Sequence, residues 1–369
     1  MGDISIATIA LESETAPRLP VGSLPCQGSW YRPADGMPRV AFIAAHYSAD
    51  MSGHFLGERI ASRGYGFLGW NTRYRSEELF AIEHALIDVG AGMRWLKDQG
   101  VETIALLGNS GGGSLMAAYQ SQAVARPLTS ANPDAAKALA EMIPGDVYIS
   151  LNAHAGRPEY ITSLLDPSVV DDADPASVDP DLDMFDPRNG PPYSTEFLGR
   201  YREAQAARNR RITAWAIAER ERLRVHGIAD RIFSVPRVWA DPRFLDPAID
   251  PSDRMPGKCY AGDPRLANRG VLGVARATSI ATWLSMWSLD HSQCRAALHL
   301  PNVTVPSLVI QTTDDLGVFP EDARAILALL AGADKQLVLR RGAHFLETPA
   351  DARDVVVDLM ASWLHERGF

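Results

Sequence analysis

The sequence predicts an α/β chain with a mostly parallel central sheet flanked by helices and interrupted by one large, mainly helical insertion. Three observations carry this prediction. Continuous apolar runs such as Val40-Ala41-Phe42-Ile43-Ala44-Ala45 and Ile104-Ala105-Leu106-Leu107 have the pattern of strands buried on both faces. They alternate with segments of helical spacing, the order that builds a parallel sheet covered by helices. That alternation stops near residue 155 and returns only near residue 305.

Taken in order, residues 4–11 and 27–32 read as two short strands with polar ends, suited to an antiparallel edge. The run ending at Ala45 is followed by His46-Tyr47-Ser48, a loop, and a helix over about 53–62. Gly64 and Gly66 punctuate before the strand that begins Phe67-Leu68-Gly69-Trp70. A long amphipathic helix is predicted over about 77–97, with apolar residues at 80, 82, 86, 87, 89, 93 and 96, and Gly100 stops it. A further strand is expected at Val147-Tyr148-Ile149-Ser150-Leu151. Residues 166–193 are crowded with Asp and Pro, and helices are expected near 195–226 and 277–289. A strand at 306–310, a helix at 321–332, a strand at 336–340 and a final helix at 350–366 complete the chain. Residues 1–154 and 301–369 therefore make one sheet-based core, with 155–300 as an inserted cap.

Composition narrows the partners. The chain has 369 residues, 46% of them hydrophobic, enough for a sizeable core. A net charge of -9 argues against a nucleic-acid surface, which needs a basic footprint. Three scattered cysteines, Cys26, Cys259 and Cys294, give no disulfide framework and no C-x-x-C pair. The N-terminal segment lacks a basic region before an unbroken apolar run, and no stretch is long and apolar enough to span a membrane. A cytoplasmic protein acting on a small molecule is the expectation, with homo-oligomerisation left open. Asp179, Asp181 and Asp183 begin like a calcium loop, but Met184 stands where the required glycine would be, so neither a metal nor another cofactor is expected.

The chemistry centres on Gly108-Asn109-Ser110-Gly111-Gly112, a G-x-S-x-G turn between an apolar strand and a helix-like segment. In that context the turn presents a serine hydroxyl out of the sheet, and its glycines make room where a Cβ would collide. Ser110 is the candidate nucleophile.

This turn, with its flanking strand and helix, resembles the nucleophile elbow of the α/β-hydrolase fold superfamily, here with a cap inserted after the sixth strand. In that superfamily the partners follow in the order Ser, Asp or Glu, His. Thr312-Thr313-Asp314-Asp315-Leu316-Gly317-Val318-Phe319-Pro320 is similar to the family's acid loop, with Thr312 where glycine is usual. Asp315 matches its register and Asp314 is the neighbouring alternative. Gly342-Ala343-His344-Phe345-Leu346 resembles the histidine loop, which makes His344 the base. The three residue types suit three tasks. A serine hydroxyl needs a base to take its proton as it attacks. An imidazole with an ordinary pKa of about 6.5 can accept and return that proton, and a carboxylate holds the imidazole in the right tautomer.

The resemblance also implies an oxyanion hole from the N–H of Gly111 and one from the loop after Ala45. Many members carry His-Gly-x there. This chain has His46-Tyr47-Ser48, so Ser48 is the second donor by position and Tyr47 the alternative. His46, Asn109, His154, Trp283, Trp287 and His291 are candidate pocket residues. The two tryptophans and His291 recur at spacing four, as on one helical stripe. The arginines of 195–226 read mostly as an exposed charged face, with a substrate anion as the lesser use.

The implied activity is cleavage of a carboxylic ester of a small to medium, largely apolar substrate through an acyl-enzyme. Hydrolysis of a C–C bond in vinylogous diketones, thioester or amide cleavage, and a non-enzymatic receptor are the alternatives. Haloalkane dehalogenases and epoxide hydrolases fit less well, because those relatives carry Asp at the elbow.

Overall fold

The computed structural model describes residues 2–369; Met1, at the start of the N-terminal segment discussed above, lies outside the described residues. Six strands come first: β1 (Ile4–Leu11), β2 (Cys26–Pro33), β3 (Val40–Ala45), β4 (Gly66–Asn71), β5 (Thr103–Asn109) and β6 (Val147–Leu151). Four short strands lie in the insertion, β7 (Val169–Asp171), β8 (Asp174–Val178), β9 (Ile232–Ser234) and β10 (Ala277–Ser279). The sheet resumes with β11 (Ser307–Thr312) and β12 (Lys335–Arg340). Its order is β1-β2-β4-β3-β5-β6-β11-β12. The β1–β2 and β2–β4 pairs are antiparallel and the others parallel.

Every residue of β3, β4, β5, β6 and β11 is buried, including polar ones such as Asn71, Ser150 and Gln311, as strands covered on both faces require. The period-two geometry of a strand sends alternate side chains to opposite faces. Ile43 and Leu106 therefore join one apolar cluster with α2 (Ile82–Asp98) and α3 (Gly112–Ala125). Phe42 and Leu107 join the other, against α1 (Gly57–Ala61) and the C-terminal helix Ala352–His365. A short helix, α4 (Pro133–Ala140), was not anticipated from the sequence. The Asn132 side chain accepts from the N–H groups of Asp134 and Ala135, and Pro133 occupies its first turn.

Between β6 and β11 the chain forms α5 (Arg157–Leu164), the antiparallel β7–β8 ribbon, the 31-residue α6 (Thr195–Val225) capped by Ser194, and the antiparallel β9–β10 ribbon. Two expectations change here. Residues 277–289 are not one helix: β10 is followed by a short helical turn and a π-helical turn over Trp283–Trp287. The arginines of α6 are not simply a solvated face either. Arg208 is fully buried, bonded to the Asp172 carboxylate and to the carbonyls of Asp166, Pro236 and Arg237. It ties α6 to the ribbons, whereas Arg222 and Arg224 make exposed i,i+3 pairs with Glu219 and Glu221. Helix α2 begins five residues after the predicted start, leaving Glu77 in the preceding loop, free to reach the insertion.

Candidate active site

The turn between β5 and α3 is built for close approach. A Cβ on Gly108 would lie 2.5 Å from the Gly113 Cα, and one on Gly112 or Gly113 would strike the Ala45 carbonyl or the Ala153 side chain. Ser110 stands at φ 54°, a left-handed conformation that costs a non-glycine residue energy and is held here by its surroundings. Its N–H donates to the Leu151 carbonyl at 3.0 Å, and its carbonyl accepts from Gly113 N–H at 3.1 Å. The elbow is thus clamped to the end of β6 on one side and to its own helix on the other. Asn109 braces it from below: its amide donates to Leu151 O at 3.0 Å and its oxygen lies 3.3 Å from His54 Nε2. The His54 Nδ1 accepts from Leu56 N–H, so the neutral tautomer carries its proton on Nε2 and donates to Asn109. Burial holds His54 neutral, lowering its pKa to about 4.

Asp315 and His344 follow β11 and β12 and meet at 2.6 Å, Oδ2 to Nδ1, both buried. Asp315 Oδ1 accepts from the N–H groups of Gly317 and Val318, each at 3.0 Å, which fixes the carboxylate. Asp314 points elsewhere, with Arg341 3.5 Å away. Two residues support the pair from outside its own loops. Asn152, buried at φ 46°, donates to the His344 carbonyl at 2.9 Å and accepts from Thr312 N–H at 2.8 Å. Tyr260, from the insertion, donates its hydroxyl to Asp315 Oδ1 and lies 2.7 Å from His344 Nδ1. Burial, then the Asp315 charge, keeps the Tyr260 phenol well above its ordinary pKa, so it remains a donor. Gly317 leaves room for the Tyr260 ring, which a Cβ there would hit.

The loop after β3 folds around His46. Its Nδ1 accepts from Ser48 N–H at 3.3 Å and Ala49 N–H at 3.1 Å, placing the proton of the neutral ring on Nε2. Burial, then the nearby Arg157 cation, lowers the His46 pKa to about 3. The Ser48 N–H, expected from position to face the site, is therefore turned into its own loop. Among the described residues, the N–H groups of Tyr47 and Gly111 donate to no partner. The Tyr47 ring is buried and its hydroxyl lies 3.0 Å from Ser114 Oγ.

Other predicted pocket residues divide. His154 is buried, stacked on Tyr160 at 4.4 Å, and held far below its ordinary pKa by burial and then Arg157. Trp287 is buried with the Arg157 guanidinium 4.3 Å from its ring. Trp283 is buried in the insertion, donating to Thr213 Oγ1 at 3.0 Å. His291 is exposed in the turn after the π-helical segment, off the proposed stripe, because the helix that would have aligned it ends at Trp287.

Sequence reasoning missed Tyr260, Glu77 and Arg157. Arg157 is 2% exposed at the start of α5. Its Nη2 pairs with Glu77, and its Nη1 lies 3.2 Å from where a Cβ on Gly111 would stand. No local motif marks any of the three, since each acts on a partner distant in the chain.

No protein-family model matches this chain, and no curated protein matches it in sequence. Solved structures match it in fold. One described as DcsB in complex with its substrate analogue superimposes with a TM-score of 0.54 at 13% identity, covering 98% of this chain and 99% of that one. The α/β hydrolase GrgF from Penicillium sp. sh18 superimposes with a TM-score of 0.51 at 10% identity, covering 98% of each chain. With the strand order and the β5–Ser110–α3 elbow already described, this defines the class: the chain has the α/β-hydrolase fold, with its insertion between β6 and β11.

Proposed function

We propose that this protein is a serine hydrolase that cleaves a carboxylic ester of a small to medium substrate through an acyl-enzyme on Ser110. One observation carries the reading: Ser110 is held at φ 54° on a strand–turn–helix elbow, while His344 and Asp315, at the ends of later strands, are hydrogen-bonded at 2.6 Å. The Asp315 bond occupies His344 Nδ1 and leaves Nε2 as the nitrogen for proton transfer.

In the first half-reaction His344 Nε2 takes the Ser110 proton as Oγ attacks the ester carbonyl. The tetrahedral intermediate collapses, the C–O bond to the alcohol breaks, and the imidazolium returns the proton to the leaving alkoxide. Water then attacks the acyl-serine, again deprotonated by His344. The free acid leaves and the Ser110 hydroxyl is restored. The Gly111 and Tyr47 N–H groups serve the oxyanion, since neither has a partner among the described residues whereas Ser48 N–H does. Residues 155–300 act as a cap over the core formed by the rest of the chain, and Tyr260 carries the cap's contact into the acid–base pair.

A fluorophosphonate probe tests this directly. Wild type should be labelled on Ser110, and Ser110→Ala should not be labelled. Folded wild type that resists the probe and turns over no ester would remove the catalytic reading and leave a ligand-binding protein.

A further inference from the structure

Arg157 holds a buried charge that its surroundings do not fully satisfy. Its Nη2 is paired with Glu77, and its guanidinium packs 4.3 Å from the Trp287 ring and 5.3 Å from that of Tyr47. Its Nε is buried with no hydrogen-bond partner among the described residues. Leaving a buried charged donor unpaired is costly, and native chains seldom keep such a group without a use for it.

A different edge of the guanidinium, Nη1, lies beside the nucleophile's neighbour. A Cβ placed on Gly111 would lie 3.2 Å from Arg157 Nη1 and 2.7 Å from His46 Nε2. His46 carries its proton on Nε2, because Nδ1 accepts from Ser48 and Ala49. Two donors, one cationic and one neutral, thus crowd the position where a Gly111 side chain would stand, one residue from Ser110, and neither has a hydrogen-bond partner among the described residues. Arg157 is also the largest charge acting on both His46 and His154, where it opposes protonation. Both rings therefore stay neutral beside it.

We propose that Arg157 and the Nε2–H of His46 form an anion subsite beside Ser110, which takes a carboxylate carried by the acyl part of the ester. A carboxylate suits the donors: the guanidinium offers charge and two hydrogens on Nη1, and the histidine adds a second, neutral donor to the other oxygen. The preferred substrate is then the monoester of a short dicarboxylic acid rather than a wholly apolar ester. This assignment rests on Ser110 acting as the nucleophile. Glu77 sets the guanidinium's orientation from outside the subsite, held itself by Ala275 N–H at 2.9 Å.

The test compares p-nitrophenyl hydrogen succinate and hydrogen glutarate with p-nitrophenyl butyrate and valerate. Wild type should favour the acidic esters in kcat/KM by about 10- to 150-fold, the scale of one charge-assisted hydrogen bond. Arg157→Gln should collapse that ratio towards one, chiefly through KM, and Arg157→Lys should keep part of it. No preference in wild type, or an equal proportionate loss on both ester classes in Arg157→Gln, would overturn the subsite. Arg157 also joins the insertion to the core, so a second measurement needs only wild type. Succinanilic acid should inhibit competitively at concentrations at least about tenfold lower than butyranilide does; equal inhibition overturns the proposal. Failure of the nucleophile reading would look different, because Ser110→Ala would then hydrolyse both ester classes like wild type.

Discussion

The Asn152 side chain donates to the His344 backbone carbonyl at 2.9 Å while accepting from Thr312 N–H at 2.8 Å. One residue at the end of β6 thereby fixes the strand that leads to Asp315 and the loop that carries His344. The adjacent Leu151 carbonyl receives Ser110 N–H, so the step from residue 151 to 152 references all three candidate catalytic residues to one point of the sheet.

Replacing Asn152 tests that reference. Asn152→Gly tolerates the positive φ but loses both bonds, and kcat should fall about 10- to 100-fold through misplacement of His344. Stability should drop by about 1–3 kcal/mol from the orphaned groups. Steady-state kinetics and urea unfolding read the two effects, and a kcat equal to wild type would show that the bridge has no bearing on the reaction.

Asp315→Asn and Asp314→Asn separate the neighbouring acids. Of the two acids only Asp315 touches His344, so its asparagine variant should lose at least about a thousandfold in kcat by stabilising the wrong imidazole tautomer. Asp314→Asn should stay within about threefold of wild type, as expected for a side chain outside a coupled unit. The reverse ranking would move the acid to Asp314.

Tyr260→Phe removes one hydroxyl from the Asp315–His344 pair. A hydrogen bond to a charged group is worth about 1.5–3 kcal/mol, so a fall in kcat of about tenfold or more is expected. Gly317→Ala should do similar damage by pushing the ring away. If Gly317→Ala were impaired while Tyr260→Phe behaved as wild type, the loop backbone and not the hydroxyl would be responsible.

Acid should destabilise the fold through buried histidines. The folded-state pKa of His54 is depressed to about 4, whereas the unfolded chain binds that proton below about 6.5. The unfolded state therefore holds more protons between those limits, and stability falls as pH falls through them, by up to about 1.4 kcal/mol per pH unit for this group. His46, depressed to about 3, acts in the same direction. His54→Gln, which can still donate to Asn109, should flatten the fall between pH 6.5 and 4 in denaturant titrations; an unchanged slope would mean that His54 is protonated in the native protein.

Gly113→Ala should cost about 1–3 kcal/mol, because the new methyl meets the Ala153 side chain in a packed core. Gly53→Ala meets nothing within 4 Å and should be neutral or slightly stabilising. Equal urea midpoints for the two would mean that the elbow relaxes freely.

Much of this architecture is local in origin and was therefore legible in the chain. Apolar runs with both faces buried announced β3, β5, β6 and β11, and the tight glycine turn announced the Ser110 elbow. Asp315 and His344 stood out because each follows such a run within a recognisable loop. Long-range pairing and side-chain direction carry no such signature. Tyr260 meets His344 across 84 residues and Arg157 meets Glu77 across 80, contacts created only when the insertion packs back on the core. The Ser48 N–H is expected from its position to face the site, yet a two-residue turn directs it onto His46 Nδ1. The sequence by itself determined the succession of the sheet's strands and their main flanking helices, the glycine turn that carries the serine and the three residue types of the proposed mechanism, because period and turn chemistry act over a few residues. Which N–H groups stay unpaired, and which buried cation lies beside Gly111, were decided only by tertiary packing, because hydrogen-bond satisfaction is a property of the assembled interior.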